Sequence, residues 1–180
     1  MITKELAILN KLREAGLADQ LRLDEKELND FFGKIEKILN DDQARCEKKL
    51  VIHTDAAARG NPGPAGIGIV IQNDNERIVK EFHQYIGVHT NNAAEYMAFI
   101  KGLELAKEME ADSVTINTDS ELLANQLTGV YRVKNKALIE LYMEAKKNIN
   151  QFELVEIVHV KRNKNKDADR LANLAIDSRK

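Results

Sequence analysis

Four acidic signatures account for most of the chemistry this chain could perform. Thr54-Asp55 leads into Arg59-Gly60-Asn61-Pro62-Gly63-Pro64; then come Asn91-Asn92-Ala93-Ala94-Glu95, Thr118-Asp119-Ser120 and Asn165-Lys166-Asp167-Ala168-Asp169. Each sets a carboxylate at the end of an expected strand or in the first turns of an expected helix. Four carboxylates converging within a few ångströms repel strongly at neutral pH unless divalent cations lie between them. An all-oxygen set that leaves room for water suits Mg²⁺, with Mn²⁺ able to replace it.

The elements that must position these acids follow from hydropathy patterning. Leu50 to Thr54 is a short apolar strand, and Ala65 to Gln72 is a second, rich in Ile and Gly. Arg77 to Tyr85 alternates as a third, and the short links favour antiparallel pairing. Asn91 or Asn92 opens a long helix through Met97, Ile100, Leu103, Leu105 and Met109. Ser113 to Asn117 is a β-branched strand, and Ser120 starts another helix. Ala137 to Ile149 reads as a helix, Glu153 to Val160 as a strand and Asp167 to Ser178 as a closing helix. Strands first, then strands alternating with helices, predict an α/β domain with a mixed sheet over residues 49–180.

Residues 1–48 form a separate, highly charged helical region in this reading. Asp24 is placed to cap a helix, with Glu27 three residues on and Leu28, Phe31, Phe32, Ile35, Ile38 and Leu39 following as an apolar face. A weaker helix carries Leu6, Leu9 and Leu12 before Gly16. Eleven acids against nine bases leave the region without a basic face, so packing or self-association is favoured over catalysis.

The chain has 180 residues, 43% hydrophobic and 31% charged, a balance typical of globular proteins. No apolar run approaches a bilayer span, so no membrane partner is expected, and no secretory signal is visible at the start. Cys46 is the sole cysteine, which excludes an internal disulfide and a zinc cluster and fits a reducing, cytoplasmic setting. A net charge of −2 does not announce a polyanion partner, and Trp is absent, which argues against a surface for stacking exposed bases.

Taken singly, Asp119 or Asp169 is better explained as a helix cap or a favourable helix-dipole charge. Four such acids in one domain reverse that judgement. The Arg59–Pro64 segment looks like a phosphate-cradling glycine loop but lacks the lysine and helix of a P-loop, so a tight hairpin is its expected geometry. Basic residues cluster at Arg132, Lys134 and Lys136, and again at Lys161, Arg162, Lys164, Lys166 and Arg170. They are either a solvated face or an offset to the acids' repulsion of a phosphate backbone.

In all four signatures, in order and at ordinary spacing, the chain from about Lys49 onward resembles type 1 ribonuclease H in the compact form common in bacteria and archaea. The resemblance implies a five-stranded mixed sheet, three strands antiparallel and then two parallel. It implies that Asp55, Glu95, Asp119 and Asp169 are catalytic acids holding two Mg²⁺ ions, and that the RNA strand of an RNA–DNA hybrid is cut to 5′-phosphate and 3′-hydroxyl ends. It further implies that Arg59, Gly60 and Asn61 approach the RNA strand. Asn91 and Asn92 would contact the hybrid near its minor groove, where the 2′-hydroxyl and groove shape are read; a helix N-cap is the plainer role for one of the two. Arg132 and Lys134 are candidate backbone contacts.

The chain also departs from the family pattern. His159 falls too early to match the loop histidine of many members, and Arg162 is the candidate in its place. Leu127 to Leu138 is too short for the basic helix that larger relatives insert. Residues 1–48 lack the aromatic and basic residues of a hybrid-binding domain, leaving docking, dimerisation or a protein partner open. Two other functions compete: a different nuclease on the same scaffold, such as a 3′–5′ exonuclease, and a non-catalytic nucleic-acid-binding protein. Magnesium-dependent turnover separates the last from the enzymes, and end-labelled substrates separate the enzymes from each other.

Overall fold

A computed structural model describes residues 11–12, 24–44 and 48–178. The chain divides into two compact units, Met1–Cys46 and Glu47–Lys180. In the first, helix α1 spans Glu25–Ala44. The Asp24 carboxylate accepts from the Lys26 N–H at 3.1 Å, so the expected cap is present. Leu28 and Phe32, one turn apart, are buried, but Phe31 is 56% exposed and does not belong to the apolar face assigned to it. Adjacent positions on a helix point about 100° apart, so both rings cannot share one narrow stripe. The expected helix with Leu6, Leu9 and Leu12 lies, apart from residues 11 and 12, outside the described residues.

In the second unit, β1 (Lys49–Ala58), β2 (Gly63–Asn73) and β3 (Ile78–His89) precede α2 (Asn91–Glu108). Then follow β4 (Ser113–Thr118), α3 (Glu121–Leu127), α4 (Lys136–Ile149), β5 (Leu154–His159), a short 3₁₀ turn at Arg162–Lys164 and α5 (Lys166–Asp177). The sheet has five strands in the order β3-β2-β1-β4-β5. β1 pairs antiparallel with β2, and β2 with β3, whereas β1–β4 and β4–β5 are parallel. The mixed sheet expected from the strand-then-alternation pattern is present.

β1 and β3 run well past the C-terminal ends that hydropathy suggests, and β2 and β4 by a residue or two. β1 continues through Asp55 to Ala58 because β2 keeps pairing with it, from Asp55 opposite Gly68 to Ala58 opposite Ala65. Its parallel neighbour β4 stops at Thr118, opposite Thr54. Asp55 is therefore inside a strand rather than at its end, at the step where one neighbour drops away and the other continues. β3 extends to His89 through a bulge that shifts the register beside Gly66, with Gly87 at φ +92°.

Helices cover both faces of the sheet. A Cβ built on Gly102 of α2 would meet Thr54 and Ile52 side-chain carbons at 3.1 and 3.2 Å, so α2 lies directly over β1. On the other face, a Cβ on Gly68 would sit 2.1 Å from the Ala168 carbonyl oxygen, and one on Gly66 2.6 Å from that of Ala172. Only glycine lets α5 approach the sheet this closely, which carries its first turn toward Asp55. Ile52, Ile69, Ile71, Phe99, Leu103 and Ile116 are fully buried and form the centre of the core. Burial of such side chains stabilises the fold by roughly 1.5–3 kcal/mol each before entropy is counted. Among the described residues, no helix is long and apolar enough to cross a membrane.

Candidate active site

Three elements bring Asp55, Glu95 and Asp119 together. Asp55 projects from β1 where β4 ends. Asp119 follows β4 directly, in a turn fixed by the Ser120 N–H donating to Thr118 Oγ1 at 3.1 Å. Glu95 lies one turn into α2, whose start is set by Thr90: its Oγ1 accepts from the Ala93 N–H at 3.3 Å. Neither Asn91 nor Asn92 caps that helix, contrary to expectation, because the β-branched hydroxyl residue just before them does so. Ser120 likewise caps α3 and Asn135 caps α4. Asp119 is thereby relieved of the capping duty that would have been its plainer explanation.

One carboxylate oxygen from each of these three acids lies within 4.8 Å of the others. Asp55 and Glu95 are 3% and 5% exposed, and Asp55 Oδ2 and Glu95 Oε2 have no hydrogen-bond partner among the described residues. Burial raises the Asp55 pKa to about 7, helped by the charges of Asp119 and Asp169 and opposed by the Ala56 N–H and by Arg162. Burial, followed by the charges of Asp55 and Asp119, also holds Glu95 well above the ordinary carboxylate range. Unpartnered buried carboxylate oxygens in one cluster are costly, and a hard divalent cation offsets that cost. The donor set thus fits a divalent metal.

Asp169 stands slightly apart. Its Oδ1 accepts from Arg162 Nη2 at 2.7 Å, and its side chain is 31% exposed. Its charge nonetheless acts on Asp55. The Arg162 guanidinium, itself held more basic by Asp169, is the cation at the mouth of the site. A cavity of about 420 Å³ is lined by Asp55, Glu95, Asp119, Asn91, Ser120, Arg162 and Asn173, together with Ala56 to Ala58.

Of the residues expected to touch substrate, Asn91 and Arg162 line this cavity, and Asn91 acts against the upward shift of Glu95. Arg59, Gly60, Asn61, Asn92, Arg132 and Lys134 do not line it. Arg59 forms an ion pair with Asp177 near the end of α5. Asn61 Oδ1 accepts from the Asn91 N–H at 3.1 Å, which pins the turn to the start of α2. The turn is a tight hairpin, closed by the Arg59 N–H donating to the Pro64 carbonyl at 2.8 Å, with Gly60 at φ +106°. Arg132 lines a separate groove with Val130, Tyr131, Ile139 and Met143.

The sequence reading gave no role to Asn165 or Asn173. Asn165, at the start of α5, makes no side-chain cap; its Nδ2 donates to the Thr54 carbonyl at 2.9 Å and to Asp119 Oδ1 at 3.0 Å. Both partners are remote in sequence, so local spacing carries no sign of the contact. Asn173 Nδ2 donates to the Asp169 carbonyl at 2.8 Å.

Residues 53–175 match the Reverse transcriptase-like family. The chain is 41% identical over 131 residues to a bifunctional protein of Mycobacterium tuberculosis, covering 72% of this chain and 36% of that protein. The chain thus spans about a third of the length of that curated relative. The crystal structure of RNase H1 from the archaeon Halobacterium salinarum superposes with a TM-score of 0.72 at 38% identity, covering 73% of this chain and 99% of the archaeal one. LC11-RNase H1 from compost, solved in complex with an RNA/DNA hybrid, aligns at TM-score 0.68 and 42% identity over 71% of this chain and 96% of its own. Shared fold, high coverage of the two solved RNase H1 chains and the acid cluster at matching signatures agree: the chain belongs to the type 1 ribonuclease H family.

Proposed function

We propose that the protein is a metal-dependent endonuclease that hydrolyses the RNA strand of RNA–DNA hybrids, leaving 5′-phosphate and 3′-hydroxyl ends. The observation that carries the reading is the Asp55–Glu95–Asp119 cluster, with one oxygen of each acid within 4.8 Å of the others and with Asp55 Oδ2 and Glu95 Oε2 buried without partners among the described residues. Membership of the family, and the hybrid complex of its LC11 relative, support the choice of substrate.

In this reading Asp55, Glu95, Asp119 and Asp169 hold two Mg²⁺ ions, with Mn²⁺ as a substitute. When bound, the ions supply activation of a water molecule and neutralisation of charge at the scissile phosphate. The chain's own residues prepare the site. The Ala56 N–H donates to Asp55 Oδ1 at 2.8 Å and fixes that carboxylate. Burial shields Asp55 and Glu95 from bulk water, and the exposed Asn91 lines the same cavity beside them. Arg162 at the mouth offsets the acids' repulsion of a polyanion, and Asp169 completes the set on leaving Arg162. Asn61, Asn91 and Asn92 lie together at the hairpin and helix start, the surface proposed to meet the minor groove, with Gly60 keeping the turn close to the backbone. Arg59 contributes less, since its charge is engaged by Asp177. Arg132 and Lys134 extend contact along the hybrid as phosphate partners. Residues 1–48 are proposed as a separate helical region that contacts another protein or a second copy, in a cytoplasmic setting.

The test is cleavage of an end-labelled RNA–DNA hybrid with Mg²⁺, beside RNA–RNA and DNA–DNA duplexes and Asp119→Asn. Internal cuts in the hybrid alone, abolished by the substitution, are expected. Progressive shortening from one end would point to an exonuclease. Binding without cleavage in Mg²⁺ or Mn²⁺ would overturn the enzyme reading.

A further inference from the structure

Asn165 is 1% exposed, yet it carries a full amide. Its two N–H groups are both spent on acceptors that cannot donate in return: the Thr54 carbonyl at 2.9 Å and Asp119 Oδ1 at 3.0 Å. That pairing fixes the amide's orientation, since turning it over would set an oxygen against two oxygens. Its own Oδ1 is buried with no hydrogen-bond partner among the described residues. A residue selected only to fill this space would be apolar, because an unpartnered buried carbonyl costs stability. What the amide supplies that an apolar side chain cannot is the pair of donated hydrogen bonds to Thr54 and Asp119.

Thr54 immediately precedes Asp55, so the first hydrogen bond holds the β1 backbone at the step where Asp55 emerges. The second is charge-assisted and holds one oxygen of Asp119, leaving the rest of that carboxylate to the cluster. The Asn165 carbonyl accepts from the Asp169 N–H at 3.0 Å, tying in the start of α5. One side chain and its backbone thus join three separate acid-bearing segments. Asp119, the least buried of the three clustered acids, has the most freedom to lose.

We propose that Asn165 is a positioning residue for the metal site: it acts through Asp119 and the end of β1 to pre-set the carboxylate geometry, and touches neither metal nor substrate. The inference rests on the metal-dependent reading above. A group that orients a metal ligand tunes affinity for the ion more than affinity for the nucleic acid.

The test is calorimetric titration of the full chain with Mn²⁺ alone, without hybrid, for wild type and Asn165→Ala. Asn165→Leu and Asn165→Ser are carried in parallel, because emptying a fully buried site can unfold the chain, and variants that remain folded by circular dichroism are scored. The expected result is about tenfold weaker Mn²⁺ binding. Cleavage should fall at limiting metal and recover at saturating metal, with KM for the hybrid unchanged. Mn²⁺ affinity within twofold of wild type overturns the inference, as does loss of folding in all three variants, which would make the residue part of the scaffold. A wild type that binds no Mn²⁺ overturns the metal-dependent reading itself, and this inference with it.

Discussion

Replacing Asp55 by Asn removes a charge from the most crowded part of the molecule, and the chain without metal should become more stable for losing it. The Asp55 pKa is raised from 3.8 to about 7, mainly by burial and then by Asp119. A raised acid pKa means that between about pH 4 and pH 7 the folded state holds a proton that the unfolded state has released. Stability contributed by that proton is lost as pH rises through this window and levels off above pH 7. Three pKa units correspond to about 4 kcal/mol as an upper bound. Roughly half of that is the working expectation, because the neutral amide must also be desolvated. For a domain of this size about 2 kcal/mol raises Tm by roughly 5–10 °C. The Ala56 N–H bond survives, since the Asn carbonyl oxygen can accept it. The assay is urea unfolding in EDTA at pH 5 and pH 8. The variant should exceed wild type at pH 8 and by clearly less at pH 5, while losing all cleavage. A variant no more stable than wild type at pH 8, or a gap that does not narrow toward pH 5, would refute the argument.

Three further outcomes are expected. Mn²⁺ affinity should fall as pH drops below about 7, by up to tenfold per unit, because the ion competes with the proton on Asp55; calorimetry at pH 6, 7 and 8 checks it, and a flat profile would count against the site. Gly68→Ala should cost about 3 kcal/mol in urea unfolding, since its Cβ would lie 2.1 Å from the Ala168 carbonyl oxygen and force α5 off the sheet. Neutralising Arg132, Lys134 and Lys136 together should weaken hybrid binding and lower its salt dependence by on the order of one unit per lost phosphate contact; an unchanged slope in filter binding would remove them from the interface.

Much of this architecture was legible because the patterns are local. The β-branched runs around Ile52 and Ile116 and the apolar stripe through Phe99 and Leu103 announce their elements within a few residues. Strand ends were less legible. β1 runs to Ala58 because β2 is present to pair with it, and no feature of Ala56-Ala57-Ala58 alone says so. The four acids stand out as candidates because each sits in a recognisable signature. The residues expected to meet substrate were harder to place, since exposed polar side chains carry no periodic signal: Asn61 proves to hold Asn91, and Arg59 to pair with Asp177.

By itself the sequence determined the mixed α/β class and the family and marked four acids as candidates, because hydropathy period and short motifs are properties of neighbouring residues. Only the tertiary structure decided that Asp55, Glu95 and Asp119 form the close cluster while Asp169 rests on Arg162. Only it decided that Asn165 reaches Thr54 and Asp119 instead of capping its own helix. Those relations join residues up to 111 positions apart, and they exist only once the fold has brought the ends of the neighbouring strands β1 and β4 beside the start of α5.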